Sequence, residues 1–115
     1  NPASLQAGLD VLATCAGRRL LALGDMAELG PDERADHVRA GEAARDAGLD
    51  GLFTTGELSR LAAEAFGPGG RHFPGVEQLI AALEPELAPD VAVLVKGSRS
   101  ARMERVVAAL AEGGG

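Results

Sequence analysis

The sequence predicts an α/β domain in which a doubly wound, mostly parallel sheet is flanked by helices. Three observations lead there. Short apolar runs alternate with stretches whose apolar residues recur at helical spacing, the pattern of strands joined by crossover helices. Gly, Pro, Asn or Asp punctuates nearly every boundary between them. The sole lysine, Lys96, ends the clearest strand-like run, Val91-Ala92-Val93-Leu94-Val95-Lys96-Gly97-Ser98-Arg99-Ser100, and a helix-like run from Ala101 to Leu110 follows at once. Such a strand-to-helix junction gathers cations, hydroxyls and free backbone N–H groups, which is how α/β domains hold anions.

The elements follow in order. Asn1 can cap a helix that Pro2 opens, Leu5, Leu9 and Leu12 stripe it, and Gly17 ends it. Leu20-Leu21-Ala22-Leu23 is the first strand. Pro31, Asp32 and Glu33 start a helix running to Gly48, with acids at the end that the macrodipole favours. Val38 and Gly41 share one side of it, which predicts close packing against a sheet. Leu52-Phe53-Thr54-Thr55 is the second strand. Leu58, Leu61, Ala62 and Ala65 stripe the third helix, and Gly67-Pro68-Gly69-Gly70 breaks it. Arg71-His72-Phe73 is a brief strand. Val76, Leu79, Ile80, Leu83 and Leu87 form the strongest helical stripe, with Pro85 placed to kink or end it. The run from Val91 to Val95 reads as a buried strand, and Met103, Val106, Val107 and Leu110 stripe the last helix. Cys15, near the end of the first helix, is expected to be a small packed residue.

Right-handed crossovers and the simplest doubly wound order place the third, second, first and fourth strands side by side. The chain then reverses direction between the first and fourth strands, and ligands bind outside the carboxyl ends of strands at such a switch point. The loops there, residues 24–30 and 96–100, are also the chemically richest in the chain. They are expected to lie together, with Asp25 and Lys96 facing one crevice in direct or water-mediated contact.

Composition narrows the function. At 115 residues the chain is one domain, residues 1–112, with a glycine tail at 113–115. Aromatics are 3% with no Trp or Tyr, which leaves no stacking platform for single-stranded nucleic acid. A net charge of −6 argues against nucleic-acid and anionic-membrane partners. Cys15 has no cysteine to pair with, no signal-like segment opens the sequence and no apolar run could cross a bilayer, so the cytoplasm is the expected compartment. There is no G-x-x-x-x-G-K-[ST] loop, no G-x-G-x-x-G after the first strand and no G-x-S-x-G elbow. His37 and His72 lack metal-ligand spacing, so no metal is expected. These absences argue against an independent ATPase, dehydrogenase, hydrolase or zinc enzyme, and for part of something larger.

The opening Asn1-Pro2-Ala3-Ser4, the loop Gly24-Asp25-Met26-Ala27-Glu28-Leu29-Gly30, His37 five residues after Asp32, Phe53-Thr54-Thr55-Gly56-Glu57, and Lys96-Gly97-Ser98-Arg99-Ser100 with Met103-Glu104 together resemble the C-terminal domain of the Mur ligases. Within that family they are most similar to the branch that joins D-Ala-D-Ala to UDP-N-acetylmuramoyl-tripeptide. The resemblance spans essentially the whole chain. It implies a Rossmann-like domain of a three-domain cytoplasmic ligase of peptidoglycan synthesis, expected to be monomeric. In such enzymes ATP phosphorylates the tripeptide carboxylate and the dipeptide amine attacks the acyl phosphate. ATP and Mg2+ would be held mainly by a central domain, none by this fragment, which is expected to be inactive alone.

Under that resemblance Lys96, Ser98 and Arg99 would hold the dipeptide carboxylate, with Arg99 adding bidentate geometry. Asp25 would orient the amine or contact a nucleotide-side group, or else serve as a turn or cap residue. Thr55 and Gly56 would form the pocket's side wall, and Glu57 suits a helix N-terminus. Asn1, Glu28 and His37 would support the loops, His37 by a hydrogen bond rather than proton transfer. No catalytic residue is assigned. Arg102 and Arg105 read as a solvated face. Two other readings stand beside this one: the matching domain of a different Mur-type ligase, and a freestanding flavodoxin-like or receiver-like interaction module, for which Asp25 is a lone acid.

Overall fold

The computed structural model describes residues 1–27 and 30–113. Helix α1 (Pro2–Leu12) starts behind Asn1, whose Oδ1 accepts from the Ser4 N–H at 2.9 Å. Strand β1 (Arg18–Leu23) leads through the 24–30 loop and a 3₁₀ turn (Gly30–Asp32) into α2 (Glu33–Asp46). Then come β2 (Gly51–Thr55), α3 (Ser59–Phe66), β3 (Gly70–Phe73), α4 (Val76–Leu83) and β4 (Val91–Lys96). A 3₁₀ turn (Arg99–Ala101) precedes α5 (Glu104–Gly113).

The strands form one parallel sheet in the order β3-β2-β1-β4, the order expected. Successive strand residues point to opposite faces. Leu21, Leu23 and Leu52 therefore pack under α1, α2 and α3, with Leu5, Leu9, Ala40, Ala44 and Phe66. Leu20, Ala22 and Phe53 pack under α4 and α5, with Leu79, Leu83, Met103 and Val106. Because β1 feeds both cores, its apolar run has no polar alternation. Each fully buried leucine contributes about 1.5–3 kcal/mol.

Several local expectations change. α1 ends at Leu12, not near Gly17: Ala13 is the cap and the Thr14 hydroxyl donates to the Val11 carbonyl at 2.7 Å. Cys15 consequently lies on an exposed turn instead of in the core. Gly41 meets the Ala62 backbone carbonyl of α3, so the close approach is helix to helix, while Ala40 and Ala44 cover the sheet. The buried stripe of α3 is Ser59, Ala62, Ala63 and Phe66, one position on from the expected stripe. Ser59 tolerates burial because its hydroxyl donates to the Thr55 carbonyl.

Pro85 does end α4, within the 3₁₀ turn Glu84–Glu86, which puts Leu87 past the helix in extended backbone. β4 is half-buried throughout, not buried, because it is the edge strand; an apolar run reports covered faces but not a paired edge. The last helix begins at Glu104 rather than Ala101 and includes Gly113, and Val107 is 53% exposed beside the β4 edge. No helix of the described residues is long and apolar enough to cross a membrane.

Candidate functional site

The two loops at the switch point are joined by the backbone itself. Gly24 N–H donates to the Lys96 carbonyl and Ser98 N–H to the Asp25 carbonyl, each at 2.9 Å, so β1–β4 pairing continues beyond both strands. His37 fixes the first loop from below. It is fully buried, and its Nε2 accepts from Met26 N–H at 3.0 Å while Nδ1 meets the Glu33 carbonyl at 2.6 Å. A backbone donor at one nitrogen and a backbone acceptor at the other place the proton on Nδ1. Glu28 lies outside the described residues.

Over these loops lies a cavity of about 520 Å³, lined by the cationic group Lys96, Ser98 and Arg99 together with Asn1, Ser4 and Met26. The helix start bordering it is that of α1. The 3₁₀ turn Arg99–Ala101 intervenes before α5, so α5 does not supply the helix N-terminus expected there. Lys96 donates through Nζ to the Ser4 hydroxyl. Ser4 carries no role in the sequence reading; its place three residues after a helix-capping Asn was the available signal. Ser98 and Ser100 share a hydroxyl hydrogen bond at 2.9 Å, and Arg99 is exposed and makes no ion pair among the described residues.

Asp25 and Lys96 form no direct ion pair, one of the two contacts expected of them. The Asp25 carboxylate turns to the start of α3, where Oδ1 accepts from Ser59 N–H at 2.8 Å and Oδ2 from Leu58 N–H at 3.2 Å. Two N–H groups left unpaired within the helix, at its positive end, hold the carboxylate there. Gly56, at φ 105°, makes this possible, because a Cβ there would collide with the Asp25 carboxylate. Thr55 and Gly56 line a different cavity, about 310 Å³, together with Asp25 and Arg102. The expected single pocket is thus two, divided by the 3₁₀ turn. Glu57 stands apart on an exposed groove with Arg34, Arg60 and Glu64.

His72 lies on β3, its Nδ1 2.8 Å from the Thr54 hydroxyl. Partial burial, then the charge of Arg60, lowers its pKa below the ordinary 6.5, against opposing pulls from Asp25 and Glu64. Among the described residues no three His, Cys, Asp or Glu side chains could hold a metal together.

The family described as "Mur ligase, glutamate ligase domain" matches residues 1–99. The UDP-N-acetylmuramoyl-tripeptide--D-alanyl-D-alanine ligase of Escherichia coli (strain K12) is 46% identical over 99% of this chain, which spans 25% of that protein. Among solved structures, the MurF ligase from Thermotoga maritima in complex with ADP superposes with a TM-score of 0.80 at 26% identity, over 98% of this chain and 26% of that one. MurF from Acinetobacter baumannii superposes with a TM-score of 0.79 at 28% identity, over 97% of this chain and 26% of that one.

Proposed function

Because this chain belongs to the Mur ligase family through its glutamate ligase domain, we propose that it is the C-terminal, dipeptide-binding domain of a three-domain ligase that joins D-Ala-D-Ala to UDP-N-acetylmuramoyl-tripeptide in peptidoglycan precursor synthesis. The chain spans about a quarter of the curated relatives it matches, so the rest of the work falls to other domains. ATP and Mg2+ belong to a central domain in this reading, since the sequence here has no phosphate loop. The enzyme would work as a cytoplasmic monomer, with neither nucleic acid nor membrane as a partner.

The observation that carries the proposal is the crevice stitched together by the Gly24–Lys96 and Asp25–Ser98 backbone bonds and lined by the cationic group Lys96, Ser98 and Arg99. An acyl phosphate needs only an amine held in line with its carbonyl carbon. The new C–N bond forms, phosphate leaves with the C–O electron pair, and the amine gives up a proton. A domain that fixes the dipeptide's carboxylate positions the amine at its other end, and positioning is the larger part of such catalysis. Asp25, engaged at the start of α3, would act by holding the Thr55–Gly56 wall of the adjoining cavity in place.

The test is kinetic, in the full-length ligase. Lys96→Ala or Arg99→Ala should raise KM for D-Ala-D-Ala by roughly tenfold to a hundredfold, the worth of a charge-assisted hydrogen bond, and raise KM for ATP far less. Both constants within about twofold of wild type would remove the cationic group from the mechanism.

A further inference from the structure

Arg102 is the only non-glycine residue with positive φ among those described, at φ 56° and ψ 33°. That left-handed region is disfavoured for any side chain with a Cβ, and bends that need it ordinarily use Gly or Asn. The bend itself is required. It closes the 3₁₀ turn, with Arg102 N–H donating to the Arg99 carbonyl at 3.1 Å, and turns the chain so that Met103 enters the core. Glycine would make it without strain, so the guanidinium is what an arginine adds here.

Arg102 is exposed and lines the second cavity. Asp25's carboxylate there is engaged with Leu58 and Ser59, and Arg102 forms no ion pair among the described residues. Pro74, Val76 and Ala101 give the cavity a short apolar wall. Ser100 borders both cavities, so a ligand seated at this residue can reach into each of them. A carboxylate at the Ser100 rim would be bracketed by Lys96 and Arg99 on one side and Arg102 on the other.

We propose that Arg102 is a specificity-determining substrate residue that reads the terminal carboxylate of the incoming dipeptide, with the adjoining methyl group against Pro74, Val76 and Ala101. The inference rests on the crevice being the dipeptide site. It adds that the site extends past the 3₁₀ turn and selects an acid over its neutral amide.

The experiment compares D-Ala-D-Ala with its C-terminal amide in the full-length ligase. Wild type should favour the acid by about tenfold or more in KM. Arg102→Gly should raise KM for the acid about tenfold, leave KM for the amide and for ATP within about twofold, and unfold no earlier than wild type because the bend is relieved. Arg102→Gln, which keeps the strain and most of the side chain's length, should show the same loss of acid preference, and Arg102→Lys should recover part of it. If Arg102→Gly raises KM for acid and amide alike, the residue is only structural and the inference fails. If Lys96→Ala raises KM for the acid but Arg102→Gly does not, the inference fails while the dipeptide site stands. If neither variant changes it, both readings fall.

Discussion

At the scale of single residues, Asp25 separates what a side chain can do from what it does. Its sequence position supports either a ligand contact or a cap, and geometry selects the cap on α3. Asp25→Ala should therefore cost about 1 kcal/mol in urea denaturation, the usual worth of a cap. Unchanged stability would mean that solvent serves those two N–H groups equally well. His72 gives a second handle. Its folded pKa lies below 6.5, so the unfolded chain binds more protons as pH falls. The stability this group contributes is complete above about pH 6.5 and is lost as pH drops through the lowered folded value. An NMR titration should place the His72 midpoint below 6.5, and His72→Gln should flatten the decline of stability on the acid side. A midpoint at or above the ordinary value would show that burial and Arg60 do not dominate. The partner of Lys96 was not legible, because sequence gives a side chain's chemistry and reach but not the competitor it finds, here Ser4.

At the scale of elements, the contact of α2 with α3 turns on Gly41, which faces the Ala62 carbonyl. Two effects oppose each other in Gly41→Ala. Helix propensity favours alanine by about 1 kcal/mol, whereas a Cβ driven into a backbone carbonyl costs about 1–3 kcal/mol or more, since backbone cannot rotate away. The clash should win, and denaturation should find the variant less stable; a stabilised variant would mean that the two helices separate freely. The same contact marks the limit of pattern reading. Strand and helix alternation, the strand order and the stop at Pro85 were all legible, because each is written in local periodicity and turn chemistry. The one-position shift of the α3 stripe was not, since Ser59 reads as polar until Thr55 supplies an acceptor. Nor was the open edge of β4, whose apolar run resembles that of a central strand.

At the scale of the whole molecule, the Cα radius of gyration of 12.8 Å is close to the ~13 Å of a compact chain this long, and two cores sandwich the sheet. The chain expressed alone should unfold in a single cooperative urea transition without hydrolysing ATP. ATPase activity that survives repurification would contradict the reading of this domain as one part of a larger ligase. The backbone bonds that tie Gly24 to Lys96 and Asp25 to Ser98 also bear on how the molecule is built over time. They join segments that are neighbours in the sheet but far apart in sequence, so the entropy of closing that long loop must be met before either bond can form. β1, β2 and β3 can assemble in the order of synthesis, each beside its predecessor. β4 must return across the finished layer to reach β1. A nascent chain halted before Val91 can therefore hold much of its core and have no crevice at all; binding competence arrives with the last strand.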